Sequence, residues 1–582
     1  MRGLAQITGF TAITLFALLP VVGQAVEYRV TRFDDPTPNG CLRFDCSLRE
    51  AVIAANATTA ADLITLQAGT YTLTQAPPGA DTELGRDLDV TRSLQIVGQG
   101  PENTIVRNGI AAHNPDGRVI SVVKARLTLS GVGLRDGNLY SSSPMNFVYG
   151  GCVQATDAGL VLANVTLSNC KSDGLAAFGG AISASQSTLN LTDVVLEDNS
   201  GSIGGALMLQ SSTARSTNMR IARNTARDGG ALAARGEVSL TGSGVELIAN
   251  TASASGGAIS VSEGATRTLS TTLQWAAGSR IAENTAGYGG AISVSVNARL
   301  EIIPAPDGTS GPTDLLRIED NHATQAGGGI HVADYEYVPG SHGALVAQRI
   351  ALRRNLTDGQ GAGVHSRGET NVVDSEVVDN VAASDGGGIF LAGTAPTRIV
   401  ERSSVARNQS GGLGGGIAID APAAQLVNVS FHANAAAADG GAIAVLNGRT
   451  VDLTHVSSAF DTAASGGSLA VGSAGTANAL NTVLAAGCHR GVGSLVVDRG
   501  GNAQQLAQPA CVGAVIDAAG LALQSGYYGG RFDVLGTGPD SLLRNAAPFF
   551  GVVPVDVRGY LRGSSRDIGA FDHGASAPTG GL

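Results

Sequence analysis

The sequence predicts an all-β protein: a right-handed parallel β-helix entered through a short capping α-helix. Two recurring phrases and their spacing carry that prediction. The first is a pair of small residues, a further small residue and an aliphatic one. It reads GGAI at Gly179, Gly256, Gly289 and Gly440, with variants at Gly150, Gly204, Gly229, Gly327, Gly361, Gly386, Gly414 and Gly466. Most copies lie 25 to 33 residues apart, the signature of one supersecondary unit stacked on itself. The second phrase, an aliphatic residue, two others and Asn, ends at Asn199, Asn224, Asn250, Asn284, Asn321, Asn355, Asn380, Asn408 and Asn434.

The chain opens with Arg2, an apolar run from Ile13 to Val22 and the small-residue site Gly23-Gln24-Ala25, the pattern of a secretory signal over residues 1–25. No later run is apolar enough to span a bilayer. Residues 26–60 read as a cap. Glu27 to Phe33 alternates like a strand, and Ser47-Leu48-Arg49-Glu50 is a capping box that starts a helix with Leu48, Val52 and Ile53 on one face. Such a helix would cover the open edge of the first coil.

Cys46-Ser47-Leu48-Arg49-Glu50-Ala51, followed by Ala55-Asn56, resembles the signature of the CSLREA domain of exported bacterial repeat proteins.

Residues 61–477 form the repeat array. The residue two after each motif aliphatic should face the same way as that aliphatic; Ala184, Leu209, Val261, Val294, Val332 and Ile419 are apolar there, with Ser366 the polar exception. Intervening residues such as Ser183, Ser260, Ser293, His331 and His365 should face outward. Glycines suit one corner. The Asn is expected to take the left-handed conformation at the opposite corner, while its amide bonds up and down a stack of coils ~4.8 Å apart. Charged residues before the Asn (Asp320, Arg354, Asp379 and Arg407 in succession) read as a cross-strand salt-bridge ladder. GGA-aliphatic phrases alternating with Phe431-His432-Ala433-Asn434 resemble the repeats of chlamydial-type polymorphic outer membrane proteins. The membrane barrel of that family has no counterpart in this sequence.

Residues 478–582 read as the end of the helix and its cap. Asp556-Val557-Arg558-Gly559, Arg562 and Arg566-Asp567-Ile568-Gly569-Ala570-Phe571 resemble choice-of-anchor Q domains. Together the resemblances imply an exported, surface-associated β-helix of no defined activity.

Six cysteines in an exported chain suggest three disulfides. Sequence proximity favours Cys41–Cys46, Cys152–Cys170 and Cys488–Cys511 among fifteen possible pairings. No zinc spacing is present, so neither a metal nor another cofactor is expected. A formal charge of -11 without a basic stripe excludes nucleic acid as a partner class. The reading that follows is a monomeric, secreted or cell-surface adhesion or matrix-contact protein, with surface glycans or host or matrix proteins as partners. The alternative is a polysaccharide lyase or glycoside hydrolase. Its candidate site is the stretched middle, where insertions Pro304–Pro312 and Asp334–Gly343 put loops on a rigid scaffold. That site would use His331, Asp334, Tyr335, Glu336, Tyr337, His342 and His365. With 4% aromatics and one tryptophan, apolar sugar-stacking walls are scarce.

Overall fold

The computed structural model describes residues 24–75, 87–109, 117–145, 147–263, 270–276, 278–304, 315–334, 341–505, 511–548 and 553–577. Residues 1–23 of the expected signal, most of the first insertion, and Tyr335, Glu336 and Tyr337 lie outside the described residues.

The chain is a parallel β-helix. One coil shows how the sequence makes it. After Gly204 come strands Leu207–Gln210, Thr213–Thr217, Arg220–Ala222 and Thr225–Asp228. Four left-handed residues separate them: Gly204 (φ 72°), Ser211 (46°), Asn218 (53°) and Arg223 (56°). Each strand pairs in parallel with its equivalent one coil on. Stacking yields a 15-stranded glycine-motif sheet, a bent 29-stranded sheet that takes two strands or one kinked strand per coil, and an 11-stranded sheet. Inward aliphatics form one continuous core, with Ile292, Val294, Ile318, Val377 and Ile419 wholly buried.

The glycine pair has two separate jobs. Gly289 holds φ at 64°, a backbone region that side chains disfavour. Gly290 lets coils approach, because a Cβ there would sit 2.4 Å from the Gly328 carbonyl oxygen.

At the opposite corner the structure corrects the expectation. The left-handed residue is the one before each Asn: Asp198, Arg223, Ala249, Glu283, Asp320, Arg354, Asp379, Arg407 and Ala433. Ala and charged residues occupy it, so the conformation is imposed by the stacked coil rather than by local preference. The Asn side chains do the bonding. Asn284 Nδ2 donates to Asn321 Oδ1 (2.9 Å) and to the Leu247 and Ala282 carbonyls, while its Oδ1 accepts from Asn250 N and Nδ2. The same head-to-tail link joins all nine, from Asn199 to Asn434. Cys170 donates its backbone N–H to Asn199 at one end, and Asp461 accepts at the other. On the outer side of the corner, Arg223 bridges Asp198, Arg354 bridges Asp320 and Arg407 bridges Asp379, each through two hydrogen bonds.

Helix α1 (Leu48–Asn56) closes the first coil. Ser47 accepts from the Glu50 amide and Glu50 reaches back to the Ser47 N–H (2.7 Å). Buried Arg49 is clamped by both oxygens of Asp35. Disulfides join Cys41–Cys46, Cys152–Cys170 and Cys488–Cys511, leaving no free cysteine.

Coils continue to strand Ala514–Ile516. The chain then folds back along the outside of the last coils instead of ending at their tip. The outward column of the bent sheet changes composition to receive it. Earlier coils carry Arg220, Glu246, Arg280 and Arg317 there; later ones carry Ser404, Ser430 and Ser457. Those three hydroxyls meet the Asp533 carbonyl, the Leu535 N–H and the Ala570 N–H. Arg562, buried, donates to Asn428 Oδ1 and the Gly569 and Ala570 carbonyls.

Candidate functional site: a groove on the glycine-motif sheet

The strands of the glycine-motif sheet shrink to three residues in the later coils, such as Ile443–Val445. Each places one side chain outward, and register aligns these as Ser293, His331, His365, Phe390, Ala418, Ala444 and Ala470. All are buried although they face away from the core. The outward residues of the earlier four-residue strands, Ser183, Met208, Ala233 and Ser260, are buried as well, so the column is the floor of a groove between the corners that flank it. One rim is the residue before each glycine pair, tied coil to coil by backbone bonds such as Gly386 N to Leu413 O and Gly414 N to Asp439 O. Tyr149 and Phe178 begin this rim, stacked at 5.3 Å; Tyr288, Gln360, Asp385, Leu413 and Asp439 continue it.

In mid-groove the structure brings His331 and His365 together. Their rings stack at 5.2 Å and 9°, extended by Tyr288 at 4.9 Å and Phe390 at 5.4 Å. Both are far less accessible than the solvent-facing pair the sequence suggested, at 8% and 6% exposure. Burial, with Arg367 nearby, pushes His331 down to about 4; burial, then His331 and Arg367, pushes His365 down to about 3. They are neutral aromatic rungs at physiological pH. Asp334 forms an isolated bridge with His342, and His342 Nε2 lies 3.2 Å from Glu369 Oε1. These residues do not form a set of three ligands within reach of one ion. Among the described residues, Asp567, Asp572 and His573 in the C-terminal segment bring three ligand-type atoms within 4.8 Å of one another. There Asp567 already accepts from Thr537, Asn545 and His573, and Asp572 faces Arg562 at 3.9 Å, which is the pattern of a charge-balanced structural network.

The groove opens at its C-terminal end into a pocket of about 460 Å³. Ala444 and Ala470 form its floor; Leu413 and Asp439 stand on one rim, with Asp420, Leu446, Asn447 and Ser473 on the other, and His489 at the end. Asp420 is held by Arg449 through Nε (3.0 Å) and Nη2 (2.9 Å). The Asp439 side chain makes no hydrogen bond or ion pair with a described residue, and it is half-buried. Two carboxylates therefore flank one floor. Asp439 is legible in the sequence only by aligning the position before each glycine pair, a column that lies outside the alternating strands.

No family model and no curated protein sequence matches the chain. Among solved structures it is similar to the catalytic domain of a GH87 alpha-1,3-glucanase in complex with nigerose, at 12% identity and a TM-score of 0.31, covering 80% of this chain and 69% of that one. It is also similar to DFA-IIIase from Arthrobacter chlorophenolicus without its lid, at 14% identity and a TM-score of 0.24, covering 65% of this chain and 94% of that one. At these scores the likeness carries no functional argument, so the reading of function rests on the groove.

Proposed function

We propose that this chain is an exported β-helix that binds a glycan along the groove of its glycine-motif sheet. The carrying observation is the open end pocket, where a floor of small residues lies between polar rims bearing Asp420, Asp439, Asn447 and Ser473. Hydroxyl-rich polymers are held by convergent polar groups above an apolar floor. Three disulfides and no free cysteine fit folding in an oxidising compartment, and no described helix is long and apolar enough to cross a membrane. The CSLREA and choice-of-anchor resemblances at the two ends belong to the same proposal, as does a surface-contact role. The test is affinity electrophoresis of the full chain against a panel of polysaccharides, with Ser473→Trp as the blocked control. Retention by one polymer, lost in that variant, supports the reading; no retention by any polymer rejects it.

A second reading, glycoside hydrolysis, is favoured by the two carboxylates on opposite rims, the residue types that acid–base cleavage of a glycosidic bond requires. Release of reducing ends that disappears in Asp439→Asn supports it.

A further inference from the structure

Resting on the glycan-binding reading, we infer that the groove selects a glycan without anionic groups, neutral or bearing amino sugars, and rejects polyuronates and sulfated chains.

The inference comes from how charge is distributed around the pocket. Its lining contains no Lys or Arg. Of the two lining acids, Asp420 is neutralised by Arg449 from outside the pocket. Asp439 has no such partner among the described residues, so its charge is presented to the groove. Two coils upstream on the same rim, Asp385 is held, among the described residues, by neutral donors: the Leu413 N–H at 2.8 Å and Gln360 Nε2 at 3.2 Å. The uncompensated charges on this rim are therefore those of Asp439 and Asp385. It sits on a chain whose formal charge is already -11. A polyanion entering here meets like charge at close range with no guanidinium or ammonium among the lining residues, whereas anionic polymers are ordinarily recognised by Arg and Lys. Carboxylates are strong acceptors for sugar hydroxyls, and an amino-sugar ammonium would gain a charge-assisted bond at Asp439.

The floor fits the same class. Ala418, Ala444 and Ala470 lie in successive coils, ~4.8 Å apart along the axis. That small-residue strip leaves room for a chain lying parallel to the solenoid. The apolar cluster of Phe390, Ala392, Ala418 and Ala444, with Leu413 and Leu446 against it, supplies a surface for the C–H faces of sugar rings rather than for charged substituents.

The experiment compares three probes on the full chain by affinity electrophoresis and titration calorimetry: a neutral β-glucan, chitosan oligosaccharides and polygalacturonate. Wild type is expected to bind the glucan or chitosan and not polygalacturonate. Asp439→Asn should weaken chitosan at least fivefold, and by more than it weakens the neutral glucan, and Asp439→Lys should create measurable polygalacturonate binding. Wild-type preference for polygalacturonate, lost in Ser473→Trp, would overturn this inference and leave the glycan-binding reading intact. Chitosan binding unchanged in both Asp439 variants also overturns the assignment to this rim. Binding of none of the three probes rejects the inference, and the glycan-binding reading then falls only if the wider panel is also negative.

Discussion

Asn434 donates both its backbone N–H and its Nδ2 to a single oxygen of Asp461, each at 2.9 Å. The ladder of nine amides therefore ends on a buried carboxylate standing where a tenth Asn would be. Burial pushes Asp461 up to about 7, against hydrogen bonds from Ser458 and Asn434 that favour the charged form. A raised carboxyl contributes stability that is full below its unfolded value of 3.8 and is lost as pH rises through about 7. Asp461→Asn removes that loss, since a neutral amide continues the ladder. The variant should be more stable than wild type at pH 8, by roughly 1 kcal/mol, with the gap shrinking toward pH 5. Equal stability at pH 8 would show that the ladder tolerates the charge.

The histidines act with the opposite sign. Burial lowers His331 and His432 to about 4 and His365 and His455 to about 3, from 6.5. The unfolded chain then binds more protons below pH 6.5, so their contribution is full above 6.5 and lost as pH falls toward 4. Melting temperature should drop between pH 6.5 and 4.5, and His331→Phe, which keeps the ring stack, should flatten the drop. An unchanged slope would mean that the ring is open to water.

Removing one rung should be costly. Asn284→Ala leaves the Asn250 backbone N–H without its acceptor in the core and leaves Asn321 Oδ1 with only the backbone N–H of residue 284, and an unsatisfied buried group costs about 1–3 kcal/mol. Denaturant unfolding should show a loss of at least about 2 kcal/mol, larger than for Asn199→Ala at the ladder's end. Equal losses would imply that the rungs act independently.

Gly290→Ala tests close stacking. Its Cβ would press to 2.4 Å on the Gly328 carbonyl oxygen and 2.6 Å on that of His322, so the coils must part. A loss of several kcal/mol, or insoluble protein, is expected, whereas Gly448→Ala, with no atom within 4 Å of its Cβ, should cost only its left-handed backbone strain of about 1 kcal/mol.

The repeats made the coil legible because stacking forces equivalent positions to obey the same steric and burial rules. Gly289, Val294 and Asn284 each show their role in the phrase itself. Three features escaped for physical reasons. The left-handed residue at the Asn corner is set by neighbouring coils, so Arg223 or Ala249 gives no local sign of it. Asp461 and Cys170 hold rung positions with other residue types. The fold-back of the last segment depends on contacts such as Arg562 with Asn428, more than a hundred positions apart, which no local pattern encodes. The histidine pair was legible as neighbours across a register, yet its burial depends on the adjoining coils, where Tyr288 and Phe390 pack against the two rings.

The groove is tested most directly by hydrogen–deuterium exchange of the full chain with and without a bound neutral or amino-sugar glycan. Added protection should concentrate in peptides covering residues 413–420, 439–447 and 470–491, the rims and floor of the end pocket. Protection confined to the bent sheet around residues 190–276, with none at the pocket, would contradict the assignment of the groove as the binding site.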